Sequence, residues 1–126
     1  ASSVIPAVVL TVVLALLGVF QLALAAGAPW GSLAWGGQAR VLPTRLRRAS
    51  AFTILIYAGI AVAELDRGGV IQVLPEGASV VLGWVVFGYL CIGIMLNAVS
   101  RSRPERFVMT PVAVLLAVLS LLVALS

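Results

Sequence analysis

GAPWGSLAWGGQARVLPTRLRRAS, residues 27–50, divides two strongly apolar segments, and its reading settles how the rest of the chain is laid out. It carries four of the eight arginines and two of the three tryptophans. Outside it the chain consists of apolar runs long enough to cross a bilayer, joined by short connectors. Residues 27–47 are therefore the one sizeable piece expected to stand outside the hydrocarbon.

The composition agrees. Of 126 residues 63% are hydrophobic and 10% charged, and the mean hydropathy is +1.22, far beyond ordinary soluble domains. The net charge of +4 does not point to nucleic acid, because lysine is absent and the arginines sit where apolar runs end, as helix-flanking charges do. Cys91 is the sole thiol, so no disulfide can close within the chain. Without histidine the chain lacks the commonest metal ligand, haem ligand and general base. No metal site or cofactor is expected.

Four spans follow, over residues 4–26, 48–65, 78–97 and 108–125. The first is uncharged and, at ~1.5 Å per residue, crosses a ~30 Å core with some tilt. Ala23-Leu24-Ala25 has the look of a signal-peptide cleavage site, but the run is longer than such a segment needs and no positive stretch precedes it. Pro6 and Pro111 fall in first turns, where a missing N–H matters least. The second span is the least hydrophobic, closed by Glu64 and Asp66 and broken at Arg67-Gly68-Gly69. Val70 to Val73 suits either the interface or an extended turn. The three connecting loops carry four, one and three arginines, so the positive-inside rule puts the first and third in the cytoplasm and both termini outside.

Helices associate in lipid through small residues and a few hydrogen bonds. Thr110, Ala113, Ala117, Ser120 and Ala124 form such a seam in the fourth span. Thr11, Gly18 and Ala25, with Ala15 and Gln21, suggest one in the first. Ser79, Gly83, Gly93 and Asn97, through Val86 and Leu90, suggest one in the third, with Gly88, Cys91 and Met95 on another side. In the second span the stripe runs Thr53, Tyr57, Ile60 or Ala61, Glu64. Glu64, close to Asp66, reads either as an interfacial charge paired with Arg67 or as an ion or proton site opening outward, with Tyr57 hydrogen-bonded below it. At the other end Gln21, Asn97, Ser100, Arg101 and Glu105 converge, although Asn97 also suits a helix C-terminal cap and Glu105 a helix N-terminus. Trp30 and Trp35 among glycines read as an aromatic belt at the headgroups. The alternative to that favoured reading is that, with Arg45, Arg47 and Arg48, they form a loop gripping an anionic headgroup or a partner's acidic surface.

GAPWG, the WGG turn, the LPTRLR segment and SRSRPER before the last span together resemble the small four-span hypothetical membrane proteins of high-GC bacteria. That resemblance implies a bacterial plasma membrane and brings no catalytic residue with it. The sequence thus predicts an all-α integral membrane bundle of four transmembrane helices in a single domain, 1–126. No nucleophile and base, metal set or nucleotide loop is present. The expected role is a non-catalytic accessory or structural subunit, its partners being the lipid bilayer and other membrane subunits or a second copy. A small oligomeric transporter or channel using Glu64 and Tyr57 is the alternative, and a lipid-modifying enzyme the third.

Overall fold

The computed structural model describes residues 3–126, and among them all regular structure is helical. The long helices are α1 (Val4–Ala25), α2 (Thr44–Arg67), α3 (Glu76–Ala98) and α4 (Thr110–Ala124), the last entered through a π-helical turn, Glu105–Met109. All four spans, the fourth counted from Glu105 to Ala124, are long and apolar enough to cross a membrane.

Each helix packs on the next in sequence and α4 closes back on α1, with slight diagonal contact between α2 and α4. The result is an up-down-up-down ring. α2 and α3 touch least of the four neighbouring pairs.

Backbone chemistry at the ends explains the boundaries. Pro43 and Pro75 hold extended backbone, with ψ of 165° and 150°, immediately before α2 and α3. Both helices consequently start earlier than the apolar runs alone suggest, α2 at Thr44 and α3 at Glu76, with the arginines of Thr44–Arg48 already helical. α1 ends in a Schellman motif: Gly27, at φ 99°, donates to the Leu24 carbonyl at 3.0 Å and Ala28 to the Ala23 carbonyl at 2.9 Å. α2 ends the same way through Gly69, at φ 83°. Beyond it Asp66 Oδ2 accepts from the N–H groups of Val73 and Leu74 at 2.7 and 2.9 Å, so residues 70–74 form a turn folded back on the helix end.

Leu10, Leu14, Ile60, Ala63, Val86, Leu90, Leu116 and Ala117 make the central core. Ala113, Ala117, Ser120 and Ala124 are buried on α4, and Ser79, Gly83, Val86 and Leu90 on α3. The first span differs from its expected seam. Its buried line is Ala7, Leu10, Leu14, Gln21 and Leu24, whereas Ala15 is exposed and Thr11 and Gly18 are half-buried. Thr11 donates to the Ala7 carbonyl of its own helix at 2.8 Å, so its hydroxyl needs no partner across the bundle. Large apolar side chains such as Leu16, Leu55, Met95 and Phe107 point outward, a surface suited to hydrocarbon.

Candidate functional site

Between the helices, at the end where residues 27–43 and 99–104 lie, is a cavity of about 440 Å³. Its wall draws on all four spans and on the first loop. Gln21 comes from α1, Thr53 and Tyr57 from α2, Tyr89, Gly93 and Asn97 from α3, Met109 and Ala113 from the fourth span. Leu17, Leu90 and Leu116 close it toward the middle of the bundle. Tyr89, Ile92 and Leu96 on its rim are exposed, so it opens through the side of the bundle.

The first loop is folded in beneath this cavity. Gly31 N–H meets the Arg40 carbonyl at 2.8 Å and closes a ring of residues; a Cβ on Gly31 would lie 2.7 Å from that same oxygen. Trp35, Gly36 and Gly37 follow one another in left-handed backbone, at φ 55°, 72° and 70°. For a bulky residue such as Trp35 that conformation costs roughly 1–2 kcal/mol. It is held by its side chain: the indole N–H donates to Ser50 Oγ at 3.0 Å, and the ring packs beside Leu24, Ala34, Leu42 and Leu46. The same turn aims the Gly36 N–H at Glu105 Oε1, 3.2 Å away, and Ser102 donates from the third loop to the Ser32 carbonyl.

Glu105 is buried, 8% exposed, at the first residue of the π turn. A π turn accommodates one residue more than an α turn would and here carries the carboxylate onto the cavity wall. Gln21 is also 8% exposed, and its Oε1 has no hydrogen-bond partner.

The expected polar cluster therefore meets in part. Gln21, Asn97 and Glu105 share the cavity wall, but Arg101 is exposed and off it. α3 ends at Ala98, so the i,i+4 relation of Asn97 and Arg101 never exists on a helix. Nor is Asn97 the C-cap of α3: it lies within the helix, and the cap position is Val99, whose N–H bonds to the Met95 carbonyl. Of the two loop tryptophans, Trp30 is exposed, while Trp35 is turned inward as part of the wall. Arg47 donates to the Ala25 carbonyl at 2.9 Å, completing the α1 terminus; Arg45 reaches Gln38, and Arg48 is exposed.

At the opposite end Glu64 is fully buried. Ser120 donates to its Oε1 at 2.7 Å, and its Oε2 has no partner. Neither expected contact forms. Arg67 instead donates to Glu76 Oε1 at 2.8 Å and to the Ser126 backbone oxygen at 2.9 Å, because its stem runs across Gly83 toward α3. Tyr57 sits two turns away, on the cavity wall, with the apolar layer of Leu10, Leu14, Ile60 and Val86 between. Thr53, also on that wall, donates to the Ala49 carbonyl of its own helix at 2.8 Å. Asp66 is occupied with the turn at 73–74.

Tyr89 and Phe20 are aromatic wall residues that the sequence reading passed over. For Tyr89 a signal was available: its spacing of four and eight from Gly93 and Asn97 puts it beside both on one helical face. Among the described residues no group of three or more His, Cys, Asp or Glu is placed to hold a metal. Compared with protein-family models, with curated proteins and with solved structures, the chain matches none.

Proposed function

We propose that this chain is a non-catalytic multi-pass protein of a bacterial plasma membrane that holds an amphiphilic molecule drawn from the surrounding bilayer. The observation carrying this reading is the cavity: about 440 Å³, within the size range of small-molecule sites, mostly apolar, with convergent polar groups at one end and an exposed apolar rim on its flank. An apolar tail fits against Leu17, Leu90 and Leu116, and a polar head beside Gln21, Asn97 and Glu105. The arginine counts of the loops favour placing that polar end at the cytoplasmic face. Serving as an accessory subunit in a larger membrane assembly, or as a second copy's partner, is compatible with this role.

The test uses N-phenyl-1-naphthylamine, a neutral lipophilic fluorophore, with the purified full chain in an uncharged maltoside detergent. Saturable binding is expected, and Gly93→Phe should abolish it, because a side chain added at Gly93 enters open space on the cavity wall. Non-saturable partitioning unaffected by Gly93→Phe would overturn the reading.

Glu64 favours a second reading, in which the protein moves a solute or proton across the membrane. A fully buried carboxyl with an unpartnered oxygen is a costly group to retain in a span. Proteoliposomes should then show an ion or solute flux that Glu64→Gln eliminates without loss of protein.

A further inference from the structure

We infer that the cavity selects lipophilic cations, that is, molecules joining a delocalised or shielded positive charge to an apolar body. This rests on the proposal that the cavity binds amphiphiles and specifies which.

The charge on the wall is the first ground. The chain has eight arginines against four acids, yet among the described residues the one charged side chain on the cavity wall is Glu105. The arginines at this end of the bundle are engaged elsewhere or face outward. Arg106 donates to the Ser100 carbonyl and lies over the Phe107 ring, Arg47 is bound to the Ala25 carbonyl, and Arg101 and Arg103 are exposed. The site thus has a sign opposite to that of the molecule.

The second ground is that no cationic side chain pairs with that carboxylate. Glu105 is buried, receives one backbone N–H from Gly36 at 3.2 Å, and takes part in no ion pair; among the described residues the ion pair found is Arg67–Glu76. A buried charge is costly unless paired, and a cation in the cavity would supply the pair. Gln21, on the same wall, holds a buried Oε1 that has no hydrogen-bond partner and so offers the carboxylate no donor from that atom. The carboxylate favours a positive ligand and disfavours an anionic one.

The third ground is aromatic. Phe20, Trp35, Tyr57 and Tyr89 all line the cavity, and they come from α1, the first loop, α2 and α3. Aromatic faces attract a weakly hydrated cation through their quadrupole, the more so away from water. A strongly hydrated ion such as sodium gains little from such walls. A bulky organic cation gains from rings, apolar lining and carboxylate together.

The test is competition for the N-phenyl-1-naphthylamine site by tetraphenylphosphonium and tetraphenylborate, which are close in size and opposite in charge. In an uncharged detergent the net charge of the chain favours the borate, so a preference for the phosphonium must come from the site. Tetraphenylphosphonium is expected to displace the fluorophore at a concentration at least about tenfold lower, and Glu105→Gln to bring the ratio of the two displacing concentrations to about one or below. The amide introduced by Glu105→Gln retains an oxygen for the Gly36 N–H, so this variant should fold; if it does not, the wild-type ratio alone decides. Saturable fluorophore binding with equal displacement, or with displacement favouring the borate, overturns the cation assignment and leaves the amphiphile reading standing. No saturable fluorophore binding removes both.

Discussion

Glu64 and Ser120 form a hydrogen bond inside the bundle in which one carboxyl oxygen is satisfied and the other is not. Removing Ser120 alone leaves both oxygens without a donor, and an unsatisfied buried polar group typically costs about 1–3 kcal/mol. Ser120→Ala is therefore expected to destabilise the protein by about 1–2 kcal/mol. Replacing both partners with apolar groups, Glu64→Met with Ser120→Ala, is expected to recover that loss or exceed it, because the desolvated carboxyl disappears with its partner. Thermal unfolding in detergent decides the matter: a double variant less stable than Ser120→Ala would refute the account. The sequence exposes half of this pair from each side. Glu64 stands out as an acid abutting an apolar run, and Ser120 belongs to an evident seam on the fourth span. What a linear pattern does not contain is the relative rotation of α2 and α4, which decides whether Glu64 meets Ser120, Arg67 or lipid. Arg67 is the plausible partner by proximity in sequence, and the close approach permitted by Gly83 draws it away.

At the level of elements, the first loop is held by backbone geometry that leaves little room for added atoms. Gly31 and Gly37 are constrained for different reasons. A Cβ at Gly31 would press on the Ala39 and Arg40 backbone, and one at Gly37 would come within 2.6 Å of Ser102 Cβ, separating the first loop from the third. Gly36 has a left-handed φ of 72° but open space around it, so alanine there should cost only about 1–2 kcal/mol of backbone strain. Limited proteolysis of the native protein is expected to cleave residues 28–43 at least several-fold faster in Gly31→Ala and Gly37→Ala than in Gly36→Ala. Equal rates in the three would mean that the loop is not docked as described. Here the sequence is less informative than for the spans. Glycines and tryptophans between two helices announce a turn near the headgroups, but left-handed backbone at a tryptophan runs against residue preference. Trp35 is placed by Ser50, a helical residue fifteen positions away, and no local rule reaches that far. The spans themselves are legible because charge-free runs of the required length have few alternatives in a chain this apolar. Their ends shift by a few residues because prolines and arginines, not apolar residues, set the first turns.

For the molecule as a whole, the arginine asymmetry predicts a single orientation. With Cys91 replaced by serine, a cysteine introduced at Ala39 should react with a membrane-impermeant maleimide only after the cytoplasmic side is opened, and one at Gly69 should react in intact cells. Labelling in the reverse order would invert the topology. The same arrangement bears on how the protein meets the electric field of a living membrane. Leu10, Leu14, Ile60 and Val86 fill the bundle between the cavity and Glu64, and the part of the transmembrane voltage that falls across that dry layer is not felt by a charge on its cavity side. A charge carried fully across 100 mV would gain or lose about 2.3 kcal/mol, close to 50-fold in affinity. Glu105, at the very start of the fourth span, lies on the near side of the layer, so a cation resting beside it has traversed almost none of the drop. Affinity for tetraphenylphosphonium in potassium-loaded, valinomycin-treated proteoliposomes, referred to its free concentration on the side that the cavity faces, should consequently stay within about twofold as the potential is stepped through about 100 mV. A slope approaching the full ~50-fold would place the bound charge beyond the leucines, deep in the field, and the cavity would then be read as a stage on a path across the membrane instead of a resting place at its edge.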